Sequence, residues 1–244
     1  MKAKLPKKLW LMLVVLYATL RISLLNIYKV YLGGGYDRAY GDKIFRWYAN
    51  TLCDSVRMHR TVNDPYNLKL EPGKPYMVMC NHRSLYDIPL SVASLPGSVR
   101  MLTKQELRRV PIWGKALDCG EFVFIDRSDL EKAKQSLVEA QKIMKSGILL
   151  WVAAEGTRSD DGKLGAFKKG GFITAIEAGA TIIPVGIQGT EKALPPRKWE
   201  FYLDQEVSFS IGAPIDASAY TLEQRDELIE VVRAAIAELT GETA

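Results

Sequence analysis

The chain has 244 residues, of which 48% are hydrophobic and 25% are charged, and its three cysteines are widely separated without a Cys-x-x-Cys spacing. This composition excludes disordered and collagen-like chains, the cysteines predict neither a disulfide framework nor a zinc site, and the length is enough to bury a core. The net charge of +5 is uneven, because residues 1–60 hold eleven lysines and arginines against three acidic residues and the remainder holds twenty-two against twenty-five. Since the positive excess accompanies an apolar segment, it indicates an anionic membrane surface rather than nucleic acid as the partner.

The first predicted element is an apolar helix near the N-terminus. Four lysines, at positions 2, 4, 7 and 8, precede an apolar run over residues 9–20, which ends at Arg21. These twelve residues are fewer than the roughly 20 that a bilayer-spanning helix needs. We therefore expect the segment to lie at the membrane surface without crossing it. Amphipathic spacing continues to Tyr31, and the glycines at positions 33–35 are expected to end the helix.

A second helix is predicted over residues 44–60, so that residues 1–60 form a two-helix hairpin that anchors the chain to the membrane. In this interpretation His59 is a polar residue at the membrane interface. Two alternatives stay open: the hairpin could be ordinary core packing, or the apolar run could be a cleaved signal peptide. Against the signal peptide, Arg21 stands where a cleavage site would need small residues.

Residues 61–244 are predicted to form a single α/β domain, a mixed sheet flanked by helices. Short apolar runs alternate with helical stretches and predict six strands, over residues 76–80, 99–102, 122–125, 148–152, 181–186 and 207–211. Two capping boxes mark helix starts, Ser128-x-x-Glu131 and Thr221-x-x-Gln224.

The sharpest chemical pattern is residues 80–87, directly after the first of these strands. Loops at strand ends carry active sites in open α/β sheets. If His82 lies on the loop and Asp87 on the first helical turn, the carboxylate can orient the imidazole, and the other ring nitrogen can take a proton from an alcohol. His82 is therefore the candidate general base. Cys80 ends the strand and is expected to face the core, which argues against a covalent role for its thiol.

Two further clusters carry arginines at strand ends. Arg127 follows an apolar strand and precedes the Ser128 cap, a suitable place to hold phosphate, although a surface pair with Asp126 is an equally open interpretation. Residues 155–159 combine a glycine, which lets the backbone approach a ligand, with a second cation, Arg158. Residues 183–189 read as a buried strand.

Taken in order, these clusters resemble the blocks of the 1-acyl-sn-glycerol-3-phosphate acyltransferase (lysophosphatidic acid acyltransferase) family. Residues 81–87 are similar to the NHxSxxD block with its His-x4-Asp pair, residues 120–127 to the GxxFIDR block, residues 155–159 to the EGTRS block, and residues 183–185 to the proline-containing fourth block. Residues 101–107 also resemble the family's segment between the first two blocks. One departure is a pair of alanines at positions 153 and 154, where the family commonly has Phe-Pro.

The resemblance implies transfer of a fatty acyl group from acyl-CoA or an acyl carrier protein to the sn-2 hydroxyl of 1-acylglycerol-3-phosphate, without a metal or cofactor. It implies that His82 is the base, that Asp87 orients it, and that Lys104 assists at the developing oxyanion. The acceptor-phosphate site would be formed by Arg127, Glu155, Gly156, Thr157 and Arg158. The expected location is the cytoplasmic face of the cell membrane.

Three other functions stay open at this point. The acceptor could be another lysolipid, or the chain could be a non-catalytic lipid-binding membrane protein, which the His82–Asp87 pair argues against. A phosphatase would account for two arginines and a histidine. It would leave the apolar hairpin unexplained, and the sequence offers no cluster of metal-ligand carboxylates for it.

Overall fold

The structure, a computed structural model, describes residues 1–126, 130–159 and 162–242, with the backbone alone for residues 130–134. Its α-helices are α1 Leu5–Tyr31, α2 Arg38–Ser55, α3 Asp87–Ser94, α4 Trp113–Cys119, α5 Leu130–Lys145, α6 Lys169–Ala178, α7 Thr190–Ala193 and α8 Arg225–Thr240. Its strands are β1 His59–Asn63, β2 Tyr76–Cys80, β3 Ser98–Lys104, β4 Val123–Ile125, β5 Ile148–Ala153, β6 Thr181–Gln188, β7 Glu206–Ile211 and β8 Ile215–Asp216.

Within these residues the strands form one mixed sheet in the order β1-β7-β6-β2-β5-β3-β4, with β8 paired to β6. Strands β2, β3, β4, β5 and β6 run parallel to one another, whereas β7 and β8 are antiparallel to β6. The predicted α/β class with a mixed sheet is confirmed. A parallel centre brings the carboxyl ends of several strands to one edge, where the loops that follow them meet.

Helical layers cover both faces of the sheet, which explains why the central strands are continuous apolar runs. All five residues of β2 are buried. On one face α1, α2 and α3 pack on Val78 and Trp151, and on the other α5, α6 and α8 pack on Met77 and Leu150. The two cores therefore sit on opposite sides of β2 and β5.

All six predicted strands are present: β2 has its predicted bounds, β3, β5, β6 and β7 are one to three residues longer, and β4 is one residue shorter. Two strands were missed, β1 and β8. The prediction of a helix as far as residue 60 is wrong, because α2 ends at Ser55 and His59 begins β1, which pairs in parallel with β7. His59 is thus an exposed residue of the sheet edge, not of a membrane helix. The sequence hid this strand because all five of its residues are exposed, so it has no apolar face.

The N-terminal helices form the predicted hairpin, and they also contribute to the core. Ile22 of α1 and Phe45 of α2 are buried in the same cluster as the sheet residues. The alternative of core packing is therefore correct for the inner face of the hairpin. The outer face of α1 exposes large apolar side chains, namely Leu5, Leu9, Trp10, Met12, Leu13, Leu16, Tyr17, Leu20, Leu24, Tyr28 and Tyr31.

Helix α1 is continuous over 27 residues and is the one helix among the described residues that is long and apolar enough to cross a membrane. Both of its ends are nevertheless attached to the rest of the chain. At the start, the amino group of Met1 donates to the carbonyl of Leu203, and Lys2 forms an ion pair with Glu200. At the end, the Lys115 ammonium of α4 lies 5.2 Å from the ring centroid of Tyr31.

A buried arginine ties the hairpin to the sheet. Arg100 in β3 is 1% exposed, and its guanidinium donates to the carboxylate of Asp42 at 2.7 Å and to the hydroxyl of Tyr36 at 2.8 Å. It also donates to the carbonyl of Gly120 at 2.6 Å. Because a buried charge without partners is costly, this network restrains α2 against β3.

Two predicted helix starts have different outcomes. Ser128 lies outside the described residues. Helix α8 begins at Arg225, four residues after Thr221, so the predicted start is too early. The Gln224 side chain still accepts the Thr221 N–H at 3.1 Å, as in a capping box, while the residues between form a turn.

Candidate active site

The chemical motifs meet at one edge of the sheet because the strands that precede them are parallel neighbours. Cys80, the last residue of β2, is paired with Ala153 of β5 on one side and with Val185 of β6 on the other. The loops after these three strands therefore leave the sheet side by side. The Ala154 N–H donates to the Cys80 carbonyl at 3.0 Å, and the Ser159 N–H donates to the His82 carbonyl at 2.8 Å.

His82 and Asp87 are brought together as their spacing predicted. His82 lies on the loop after β2 and Asp87 is the first residue of α3, and the distance between Nδ1 of His82 and Oδ2 of Asp87 is 2.8 Å. The carboxylate is fully buried, and the same oxygen accepts the backbone N–H groups of Arg83 at 2.7 Å and Ser84 at 2.8 Å. Its other oxygen accepts the hydroxyl of Thr190. Together these four hydrogen bonds hold the Asp87 carboxylate in one orientation.

The imidazole is oriented and only slightly exposed. Nε2 of His82 has no hydrogen-bond partner among the described residues, and the side chain is 13% exposed. The ring meets the indole of Trp151 edge to face, with the centroids 5.7 Å apart. With Asp87 on Nδ1, the tautomer that carries a proton on Nδ1 is favoured, which leaves Nε2 as the basic nitrogen.

Glu155 supports this loop from behind. One oxygen of its carboxylate accepts the His82 N–H at 3.2 Å, and the other accepts the Gly165 N–H at 2.8 Å. The residue is 4% exposed, and burial raises the pKa of its carboxyl group. Both oxygens contact backbone, so what Glu155 contributes geometrically is the position of His82; its part in acceptor binding stays a prediction.

The other predicted binding residues lie on the loop after β5 or outside the description. Gly156 has a φ of 71° and Thr157 is exposed. Arg158 is half-buried next to Ser159, whose N–H is bonded to His82, and its guanidinium has no ion pair or hydrogen bond within the described residues. Arg127 lies outside the described residues. Of the two arginines that were predicted to bind one phosphate, only Arg158 lies in the described part of the chain.

Lys104 is exposed at the end of β3, and no contact with the His82–Asp87 pair is present within the described part of the chain. Its predicted role at the oxyanion stays a prediction. Cys80 is fully buried, as predicted, and burial raises the pKa of its thiol well above the ordinary value. A thiolate at this position is therefore disfavoured. Across the described residues, no group of three His, Cys, Asp or Glu side chains is arranged to hold a metal ion.

Sequence reasoning missed several residues that hold the loop. Both polar atoms of the Asn81 side chain bond the backbone of Ile187 in β6 at 2.8 Å, and the Ser84 hydroxyl donates to the carbonyl of Leu194 at 2.8 Å. Thr190 binds Asp87 from the start of α7. Asn81 and Ser84 stand in the motif that carried the prediction, so a signal for them existed. For Thr190, 103 positions from Asp87, the sequence offered none.

Glu242, two residues beyond the end of α8, reaches the His82 loop. The guanidinium of Arg83 is paired with the carboxylate of Glu242, whose second oxygen accepts the Leu164 N–H at 2.8 Å. Arg233 donates to the carbonyls of Leu164 and Gly165. The loop after β5 is thus held between α8 and the His82 loop.

An apolar cavity of about 280 Å³ lies beside the His82 loop. Its walls come from the hairpin, from the loop and start of α3, and from the segment that leads into α4, and they include Val15, Tyr48, Leu85, Ile88, Leu107 and Trp113. Its lining is apolar, as a site for hydrocarbon requires, and Leu85 and Tyr86 bring its wall within a few residues of His82.

Comparison with known proteins finds a family profile and a solved structure that match this chain. The Acyltransferase family profile matches residues 59–188, more than half of the chain. The crystal structure of the 1-acyl-sn-glycerophosphate (LPA) acyltransferase PlsC from Thermotoga maritima is similar with a TM-score of 0.70 and 27% sequence identity, over 98% of this chain and 99% of that one.

Sequence relatives carry related names. The chloroplastic 1-acyl-sn-glycerol-3-phosphate acyltransferase LPAT1 of Arabidopsis thaliana is 32% identical over 164 residues, which are 67% of this chain and 44% of that protein. The human 1-acyl-sn-glycerol-3-phosphate acyltransferase beta is 25% identical over 79% of this chain and 69% of its own length. The chain spans about half the length of the two plant relatives that it matches.

Proposed function

Because the chain belongs to the Acyltransferase family, we propose that it transfers a fatty acyl group from an acyl thioester to the sn-2 hydroxyl of 1-acylglycerol-3-phosphate, giving phosphatidic acid. The donor is an acyl-CoA or an acyl carrier protein thioester. The observation that carries the proposal is the 2.8 Å contact between His82 Nδ1 and the buried Asp87 carboxylate, beside an apolar cavity. This arrangement combines a general base with room for hydrocarbon.

In the proposed reaction, Nε2 of His82 removes the proton of the acceptor hydroxyl as its oxygen attacks the thioester carbonyl. Asp87 keeps the imidazole in position and stabilises the imidazolium that forms. The tetrahedral intermediate then collapses, the carbon–sulfur bond breaks, and the thiol leaves with the proton that His82 had taken. The acyl group thus passes directly to the acceptor, and the base returns to its starting state.

The acceptor phosphate is assigned to Arg158, with Arg127 as the second cation. Support comes from the position of Arg158 one residue before Ser159, whose N–H is bonded to the carbonyl of His82. A guanidinium there can bind phosphate with two parallel hydrogen bonds. Glu155 holds the loop between these groups, and Lys104 at the end of β3 is the candidate donor to the oxyanion.

The outer face of α1 is assigned to one leaflet of an anionic bilayer. Both ends of this helix, about 40 Å apart, are attached to the same domain, through Met1 and Lys2 at the start and Tyr31 at the end. A helix that crossed the bilayer would place these ends on opposite sides. We therefore favour a helix that lies in the interface, with lysines at its start facing anionic headgroups.

The test of the chemistry compares the two histidines of the chain. His82→Ala should lower acyl transfer roughly 10²–10⁴-fold, the contribution of a general base, whereas His59→Ala on the exposed strand β1 should leave it unchanged. Activity is measured as product formed from a panel of lysolipids with both thioester types, by mass spectrometry. Near-normal turnover of His82→Ala would contradict the mechanism. A preference for a phosphate-free lysolipid would contradict 1-acylglycerol-3-phosphate as the acceptor.

The test of the phosphate site compares Arg158→Ala with Arg57→Ala, which removes an exposed arginine paired with Asp204. Arg158→Ala should raise the apparent Michaelis constant for lysophosphatidic acid and weaken discrimination against phosphate-free acceptors. Equal losses on both classes of acceptor would assign the arginine to structure.

Location has its own test. If the protein lies on the cytoplasmic face of the cell membrane, tags at both termini should be protected from protease added outside sealed spheroplasts. Exposure of the N-terminal tag alone would mean that α1 crosses the bilayer.

A further inference from the structure

The N-terminal helix is not the only element that exposes apolar side chains: a short segment between β3 and α4, residues 107–112, also does so. Leu107 is 38% exposed, Val110 42% and Ile112 44%. Two exposed basic residues, Arg108 and Arg109, lie between Leu107 and Val110. Exposure of apolar side chains to water is unfavourable, so three large ones within six residues indicate a surface that contacts another molecule.

The backbone of this segment holds Ile112 in a strained conformation at its tip. Ile112 has φ 64° and ψ −54°, and the Trp113 N–H donates to the Pro111 carbonyl at 2.7 Å. This is the rare γ-turn, which is costly for a β-branched residue. Strain of this kind persists where the surrounding structure enforces it and is concentrated at functional positions.

The surrounding structure does enforce it. The Gly114 N–H donates to the Val110 carbonyl at 2.8 Å, and a Cβ at Gly114 would come within 2.1 Å of the Arg108 carbonyl oxygen. Arg108 forms an ion pair with Asp118 in α4 at 3.1 Å. The segment is therefore folded tightly back on the start of α4, and its apolar tip is presented outward by rigid packing.

The segment is continuous with the outer face of α1 and with the apolar cavity. Helix α4, which follows directly, packs against α1, and its Lys115 lies over the ring of Tyr31, which is 57% exposed. Leu107 and Trp113 line the cavity together with Val15 of α1. One surface thus runs from α1 across α4 to the segment, with the cavity between them.

From these observations we propose that residues 107–112 form a second membrane contact, in which Leu107, Val110 and Ile112 enter the headgroup region of an anionic bilayer while Arg109 meets lipid phosphate. The occupant is a lipid surface because the exposed side chains combine cations with bulky apolar groups, the composition of interfacial segments. The contact places lipid at the wall of the cavity, and in this respect it deepens the proposed function.

An acidic carrier protein is the competing occupant, since it would also attract the arginines. The apolar tip argues against it, because a carrier recognised by charge would leave Val110 and Ile112 in water or require an apolar patch of its own. The experiment includes this possibility as an outcome. Binding is measured without substrate, so failure of the membrane contact is distinguishable from failure of acyl transfer.

The full chain is tested by flotation with vesicles of phosphatidylcholine and phosphatidylglycerol, and with vesicles of phosphatidylcholine alone. Val110→Ser and Ile112→Gly should each lower the partition coefficient about fivefold on both vesicles, the effect of withdrawing part of one apolar side chain. Arg109→Gln should lower it about fivefold on the anionic vesicles only. Because glycine relieves the strained turn, Ile112→Gly should keep or raise the melting temperature, so a loss of binding cannot be ascribed to unfolding.

Matched controls lie on α5, on the opposite face of the sheet. Val138→Ser removes an apolar side chain that is 48% exposed, and Lys145→Gln removes an exposed charge; neither should change the partition coefficient. Two results would overturn the proposal. One is vesicle binding of Val110→Ser and Ile112→Gly equal to that of the unmodified chain. The other is an Arg109→Gln defect confined to the Michaelis constant for the carrier-protein thioester, which would assign the segment to the carrier.

Discussion

The His82 loop and the outer face of α1 differ in how many contacts their side chains make within the chain. In the loop, the Asp87 carboxylate has four hydrogen-bond donors, and Asn81 and Ser84 are bonded to distant backbone. On α1, large apolar side chains are mostly exposed, such as Leu13 at 64% and Leu16 at 55%.

The difference indicates that the loop is stabilised by contacts within the chain, whereas the outer face of α1 requires an apolar environment that another molecule supplies. The side chains of Asn81, Ser84 and Asp87 are bonded within the chain, and these bonds fix the position of the His82 imidazole. Apolar side chains on α1 are stabilised only by an apolar environment, which the chain does not provide. The candidate site at the sheet edge is thus held by contacts within the chain, whereas the outer face of α1 has no apolar partner among the described residues.

The largest expected effect comes from breaking the centre of the loop. Asp87→Asn replaces an acceptor-only carboxylate by an amide whose NH2 group faces donors, so the imidazole loses its orientation, and acyl transfer should fall roughly 10²–10⁴-fold. Turnover measured in detergent micelles, where membrane attachment does not limit the rate, checks this. Asp204→Asn, at an exposed ion pair, is the control and should be unchanged. Activity of Asp87→Asn close to that of the control would refute an orienting role.

Glu155 tests whether the loop depends on support from behind. In Glu155→Gln one of the two N–H donors, from His82 or Gly165, meets an NH2 group, so the free energy of unfolding should fall by about 1–3 kcal/mol. Urea denaturation at several pH values measures it. Burial raises the pKa of this carboxyl group above 4.5 in the folded state, so the folded protein binds the proton more tightly than the unfolded chain does. The stability advantage of Glu over Gln should therefore be greatest below pH 4.5 and decline as the pH rises through the raised pKa. An advantage that grows with pH would contradict the assigned shift.

Thr190 sharpens the comparison, because it completes the Asp87 carboxylate from a distant element. Thr190→Val keeps the shape of a fully buried side chain and leaves one carboxylate oxygen unpaired. We expect kcat to fall about tenfold with little change in KM, and Thr190→Ser to restore it. Thr174→Val is the matched control, since that buried hydroxyl bonds only within α6, to Gly170. If Thr190→Ser were as impaired as Thr190→Val, the hydroxyl would not be the cause.

The smallest effect is expected on α1, where many side chains share the attachment. Leu13→Gln should weaken vesicle binding by about 1 kcal/mol, a part of the full burial energy of a leucine, and should leave turnover in micelles unchanged. Leu222→Gln, at an exposed leucine before α8, is the control. Flotation separates the two. Deleting residues 1–60 would not be a clean experiment, since it removes core residues such as Ile22 and Phe45 and the start of β1. Unchanged binding of Leu13→Gln would argue that α1 faces water.

Much of the fold was legible in the sequence because its signals are local. Buried strands such as β2 and β5 are apolar runs of ordinary strand length, and the hairpin of α1 and α2 is marked by amphipathic spacing around glycines. The His82–Asp87 contact was also predictable, since the two residues are five positions apart and a loop followed by a helix brings them together. Strand β1 was not, because its five residues are all exposed and only its pairing with β7 makes it a strand.

The sequence by itself therefore determined the α/β class, the order of the chemical motifs and the pair of residues at their centre. Only the tertiary structure decided which distant groups hold that pair: Thr190 on Asp87, Glu155 on the His82 backbone, and Arg100 between the hairpin and the sheet. It also decided that both ends of α1 are attached to one domain. The physical reason is that periodicity and caps act over a few residues, whereas these contacts follow from the tertiary fold, which brings together positions that are 103 residues apart for Asp87 and Thr190 and 202 apart for Met1 and Leu203.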